Sequence, residues 1–139
     1  MKNTFLSATL VLLCYTYTFA GTPPAEVQKS FDLKFPHATA VKWDKENAHE
    51  YEASFSWKNE KYSANFSDKG EWLETESATS FNLLPEKVQN TFNASHKGTM
   101  VKAAAKIEPS KGAIKYEVEF KQGIKTVEVF YDSDGAIIK

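Results

Sequence analysis

The 139-residue sequence contains no arginine, and its single cysteine, Cys14, lies within the first twenty residues. Each absence removes a class of function. Phosphate and base-edge recognition leans on the bidentate arginine fork, and no basic stripe compensates for its lack, so no nucleic-acid partner is expected. The same lack argues against electrostatic attachment to a membrane. Beyond residue 14 there is no thiol to form a disulfide, hold a metal or act as a nucleophile, so the core must suffice alone. Glycine and proline are few, six and five, and the glycines are scattered at turns. No glycine-rich phosphate loop exists.

A hydrophobic run occurs at the start. Lys2 precedes the mostly apolar stretch from Phe5 to Phe19, and Thr18-Phe19-Ala20 stands ahead of Gly21. A basic start, a short apolar run and a small residue at the break describe a secretory signal peptide, residues 1–20, cut after Ala20. The run is shorter than the ~20 residues a spanning helix needs, so no membrane span is expected after cleavage. Cys14 follows Leu12-Leu13, whereas a lipoprotein site needs a small residue directly before the cysteine, which argues against lipidation. Removing twenty of the 139 residues leaves 119, about one domain, placed in the periplasm or secreted. With Lys2 gone, 16 lysines face 18 acidic residues, a balance of −2.

What is present is a repeat. Pro24-Ala-Glu-Val27-Gln28-Lys-Ser30-Phe31 matches Pro85-Glu-Lys-Val88-Gln89-Asn-Thr91-Phe92 at a spacing of 61 residues. Val41-Lys42 matches Val101-Lys102 at 60, and Tyr51-Glu52-Ala53-Ser54-Phe55 matches Tyr116-Glu117-Val118-Glu119-Phe120 at 65, as Gly70 matches Gly135. Spacings that drift only between elements are what loop insertions in a duplicated unit produce. Val27, Phe31 and Phe35, and likewise Leu84, Val88 and Phe92, recur every fourth residue and predict one buried helical stripe in each unit. Pro24 and Pro85 suit the first helical position. Alternation then predicts strands near 40–44, 49–57, 61–67 and 71–76, and again near 100–107, 113–121, 125–132 and 136–139. Asn59 marks a hairpin tip, and Ser67-Asp-Lys-Gly70 and Asp132-Ser-Asp-Gly135 have the residues of tight turns. The expected class is α+β: two tandem helix-plus-four-strand repeats, about 23–76 and 84–139, sharing one antiparallel sheet with helices on one face. Residues 21–139 then form one pseudo-symmetric domain.

The chemistry candidates are modest. Glu50 and Glu52, and Glu117 and Glu119, point the same way from their strands, and Glu128, Glu74 and Glu76 fall where they could join them. Strand carboxylates of this kind suit either a cation or a solvated face with Lys42, Lys61, Lys102, Lys115 and Lys121 as cross-strand partners. Asp132-Ser-Asp134-Gly135 opens like a calcium loop but lacks the later ligands and reads better as a turn. His37, His49 and His96 have no metal-ligand spacing, and no serine sits in a nucleophile elbow. No catalytic residue, metal ligand set or cofactor is assigned, and no enzyme is expected. Asn65 and Asn93 head glycosylation sequons. Most aromatics share the inward phase; Phe130, beside Glu128, and Leu73, beside Trp72, break it.

Phe35-Pro36-His-Ala38-Thr-Ala-Val41-Lys-Trp43, then Tyr51-Glu52-Ala53-Ser54-Phe55 and Asp68-Lys-Gly70-Glu-Trp72, resemble the PepSY-like family of beta-lactamase-inhibitor-like exported proteins common in Bacteroidetes. The resemblance covers nearly all of residues 24–139 and is looser in the second unit, where no Phe-Pro precedes Val101 and Ala103 replaces the tryptophan. It implies one curved sheet with helices on its convex side. By analogy, the beta-lactamase inhibitory protein grips its enzyme with the exposed sheet face, although its two disulfides are absent here.

The expected function is therefore a non-enzymatic module that binds an exported or envelope protein, an envelope hydrolase in the inhibitor form, through the exposed sheet face. The expected contact residues are Glu52, Ser54, Lys61, Ser63, Asn65, Glu117, Glu119, Glu128 and Phe130. The alternative is a periplasmic protein that takes a small ligand or cation on the strand carboxylates.

Overall fold

The computed structural model describes residues 19–138, with side chains from Gly21 onward. The expected leader and Cys14 lie outside the described residues, apart from the backbone of Phe19–Ala20.

Two ten-residue helices, α1 (Ala25–Lys34) and α2 (Glu86–Ser95), begin one residue later than the sequence suggested. Pro24 and Pro85 take the N-cap position, with extended ψ of 155° and 139°, rather than the first helical one. Each proline carbonyl accepts from the amides three and four residues on. The side chains of Gln28 and Gln89 reach back to the carbonyls of Pro23 and Leu84 at 2.9 and 2.8 Å, so both helices start with the same tie.

Among the described residues nine strands lie side by side in chain order, every pair antiparallel. They are β1 (Phe19–Ala20), β2 (Thr39–Asn47), β3 (Glu50–Trp57), β4 (Glu60–Ser67), β5 (Trp72–Thr79), β6 (Val101–Pro109), β7 (Lys115–Gln122), β8 (Lys125–Tyr131) and β9 (Ile137–Ile138). Lys58 and Asn59, with φ of 53° and 67°, make the two-residue turn between β3 and β4. A short 3₁₀ turn at Phe81–Leu83 occupies the join between units, while β5 pairs directly with β6 and carries the sheet across it.

The curved sheet implied by the family resemblance is not what forms. The sheet is open, neither curled nor closed, with β1 and β9 at its two edges. The terminal strands β1 and β9 each pair on one side only, and each helix packs on its own half.

Inward residues of β3 and β4 meet α1: Val27, Phe31 and Phe35 pack with Ala53, Phe55, Ala64 and Phe66. Inward residues of β6, β7 and β8 meet α2: Leu84, Val88 and Phe92 pack with Ala104, Val118, Phe120, Val127 and Tyr131. Register carries Ala64 to Thr75 and Thr79 to Ala104, which share a phase on β5, so both helices cover the same face.

Register also revises the repeat. Trp43 pairs with Ala53, and Ala104 with Val118, so Ala104 rather than Ala103 stands where Trp43 does. A bulge between Val101 and Ala103 absorbs the extra residue, and Lys102 lies in it. Another bulge, between Asn65 and Phe66 on one side and Glu74 and Trp72 on the other, leaves Leu73 unpaired, which explains its broken phase.

Two glycines lock helix to sheet. A Cβ on Gly70 would lie 2.8 Å from the carbonyl oxygen of Glu26, and one on Gly135 2.5 Å from that of Lys87. Both have φ of +80°, so glycine is required twice over. The contacts are the same ones, 61 residues apart on the helix and 65 on the turn.

Candidate functional site

The face opposite the helices is built by the outward phase of β2 to β8. One row of register partners runs Lys42, Ser54, Ser63, Glu76, Ile107 and Lys115. A second runs Asp44, Glu52, Asn65 and Glu74. In the second unit Glu117 pairs with Phe130 and Glu119 with Glu128. Every residue expected to bind a partner therefore lies on this one face, although Phe130 is half-buried rather than a projecting anchor. Neighbouring strands sit about 4.8 Å apart, so the expected residues span two patches rather than one.

The patches differ in charge. In the second unit a carboxylate oxygen from each of Glu117, Glu119 and Glu128 falls within 4.8 Å of the others. Lys102 reaches out of its bulge into this cluster, with Nζ 2.5 Å from Glu119 Oε1 and 3.4 Å from Thr126 Oγ1. Lys115 Nζ lies 3.6 Å from Glu74. Burial, then the charges of Glu76, Glu128, Glu119 and Glu74, push the Glu117 carboxyl up to about 8. Burial also raises Glu76 and Glu128, reinforced by neighbouring carboxylates. Ala105 and Ile107 are almost fully covered although they lie on the polar face, in register with Glu117 and Glu76.

The first-unit patch is a groove of ≈ 500 Å³ lined by Ala40, Lys42, Glu52, Ser54, Ser56, Lys61, Ser63, Glu76 and Ala78, with Phe55 and Tyr62. Among the described residues no carboxylate lies within ion-pair distance of Lys42 or Lys61. The Glu52 carboxyl rises to about 7 through burial, a hydrogen bond shared with Glu46, and the charges of Glu46 and Glu76. Glu46 was missed because the expected strand stopped at residue 44; alternation continued through Lys42, Asp44 and Glu46 was the signal. The bulge between Lys45 and Asn47 marks where β2 ends its regular pairing.

Other sequence candidates are absorbed by structure. Asp132 Oδ1 accepts from the amides of Asp134 and Ala136, both at 2.9 Å, so the calcium-like motif is a turn. The exposed His49 pairs with Asp68 at 3.0 Å, and His96 lies against Phe92 and Phe120.

A family model described as "Putative beta-lactamase-inhibitor-like, PepSY-like" matches residues 49–139, which span β3 to β9 and α2. The chain belongs to this family. No curated protein matches it. Three solved structures share the PepSY-like fold with this chain. A DUF2874 family protein from Bacteroides ovatus is 24% identical over 86% of each chain, with a TM-score of 0.73. A protein from Bacteroides eggerthii, described as a "putative periplasmic" protein, is 17% identical over 86% of this chain and 88% of its own, with a TM-score of 0.77. A BLIP-like protein from Bacteroides fragilis is 24% identical over 86% and 85%, with a TM-score of 0.69. The family's description, inhibitor-like rather than catalytic, agrees with the non-enzymatic expectation.

Proposed function

We propose that residues 21–139 act as one exported protein-binding module whose contact surface is the sheet face opposite α1 and α2. Placement in the periplasm or outside the cell rests on the leader-like start and on family membership. No helix among the described residues is long and apolar enough to cross a membrane. The observation that carries the reading is the asymmetry of the sheet. One face is covered by two helices, whereas among the described residues no element packs on the other. That second face is a mixed-charge surface with half-buried carboxylates and covered apolar residues between them. Charged rows of this kind steer and select a partner, and half-buried side chains among them supply contact area.

A photo-crosslinking amino acid placed at Ser63 or Asn65, and for comparison at Asp32 on α1, tests the surface in cells. Crosslinks to a discrete envelope protein from the sheet positions, and none from Asp32, are expected. Equal products from both sides would remove the face as the contact surface. The family description extends the reading to inhibition of an envelope hydrolase, and steady-state assays of purified beta-lactamases with added protein test that extension.

A further inference from the structure

The repeat supplies its own template for what one half of this face is missing. At the spacing of 65 residues, the pairs Glu119–Glu128 and Glu117–Phe130 of the second unit correspond to Ser54–Ser63 and Glu52–Asn65 of the first. Thr126 likewise corresponds to Lys61. In the second unit the lysine of the neighbouring strand is met by a carboxylate from the face itself, Lys102 by Glu119. In the first unit both carboxylates are replaced by short hydroxyls, a second lysine is added, and a groove of ≈ 500 Å³ stands open there. Lys42 is in register with Ser54, and Lys61 lies one row along on β4, so the two cations flank the shortened positions.

We infer that this groove receives acidic side chains of the protein partner, with a carboxylate at Lys42 in the role that Glu119 plays toward Lys102. The inference rests on the sheet-face reading and assigns the anion-accepting half of the face to the first unit. The Ser63 hydroxyl supplies a donor beside the lysines, while that of Ser54 donates to Glu52 Oε1 at 3.4 Å, and hydrogen bonds to a carboxylate are among the stronger ones. Lys42 and Lys61 lie two strands and one row apart, which two carboxylates at alternate positions of an extended segment can span. Glu52 and Glu76 line the same groove and oppose an incoming carboxylate when ionised. Burial pushes both carboxyls up, Glu52 to about 7, which weakens that opposition as pH falls.

The test uses the mature chain, isotope-labelled, and a blocked pentapeptide Gly-Glu-Ser-Glu-Gly at low ionic strength and pH 6, against its Gln-for-Glu counterpart. The expected result is saturable amide shifts at Lys42, Ser54, Lys61 and Ser63 with the Glu peptide. The Gln peptide is expected to bind weaker by roughly fivefold for each ion pair lost. Ser54→Glu installs the second unit's own carboxylate and is expected to abolish the shifts, as is the Lys42→Met, Lys61→Met double variant; both change sites clear of the helix-packed core, and a thermal melt checks their folding. Equal shifts from the Gln peptide, or undiminished binding to Ser54→Glu, overturn the inference. Acetate that reproduces the shifts at the same carboxylate concentration assigns the groove to free carboxylates and overturns protein docking. None of these results depends on crosslinks from Ser63 or Asn65, so a failure here and a failure of the face reading are told apart.

Discussion

The two halves of the sheet reach similar backbones with opposite packing. In the first, α1 and its C-cap residue present Phe31 and Phe35 to Phe55, Phe66 and Trp43, and the sheet floor beneath is small, Ala53 paired with Ala64. Phe31 alone has ring centroids of four aromatics within 6.2 Å. In the second, the tryptophan position is Ala104, the floor is Val118 paired with Val129, and Phe92 meets Phe81, Phe120 and His96. Large rings over alanine and smaller side chains over valine fill the same space, as interiors packed near crystal density require. The polar faces are exchanged in a parallel way, carboxylates in the second unit and serines with lysines in the first. A duplicated frame thus tolerates different fillings when volume is conserved, and that freedom lets one face carry two charge patterns.

The contrast between the halves breaks hardest in their cores. Phe31→Ala is expected to cost roughly 3–5 kcal/mol in chemical denaturation, with Phe92→Ala at the lower end of that range. Equal losses would mean that the denser aromatic contacts of α1 add nothing. Next come the locking glycines. Gly135→Ala and Gly70→Ala should each cost about 1–3 kcal/mol, and Gly135→Ala more, because its Cβ meets backbone at the shorter distance. A smaller effect of opposite sign is expected at Tyr131. Its hydroxyl is buried without a hydrogen-bond partner among the described residues, and burial pushes it up to about 12. Phe66 stands at the corresponding place in the first unit, so Tyr131→Phe copies one half into the other and should stabilise by about 1 kcal/mol.

The halves also differ in their dependence on pH. A carboxyl whose proton affinity is raised by folding keeps its proton in the native state while the unfolded chain has lost it. Its contribution is intact below the ordinary value of 4.5 and declines as pH rises through the folded value. Stability should therefore fall from about pH 4.5 to about 8 for Glu117, and only to about 7 for Glu52. Glu117→Gln should flatten the curve from about pH 4.5 to about 8, and Glu52→Gln only from about 4.5 to about 7. Identical curves for the two variants would show that the halves do not differ in how they bury their acids.

Sequence alternation and turn residues were enough to place eight of the nine strands, both helices and the common face, because a half-buried strand or helix writes its period into the chain. The exceptions are bulges. Lys102, Leu73 and Glu46 sit at register breaks, where one extra residue turns a side chain without altering composition, and so the sequence match of Lys42 to Lys102 ran one residue out of step. The two-residue β1 fell inside the expected leader, where no strand was sought.

By itself, the chain determined its elements, its duplication and the polarity of each sheet face, all of which follow from local periodicity. Only the tertiary structure decided that the sheet stays open, that Ala104 answers Trp43, and that Lys102 is held by Glu119 while Lys42 and Lys61 border an open groove. Those outcomes depend on cross-strand register and on which side chains meet across the spacing of about 4.8 Å between strands, and no local pattern encodes them.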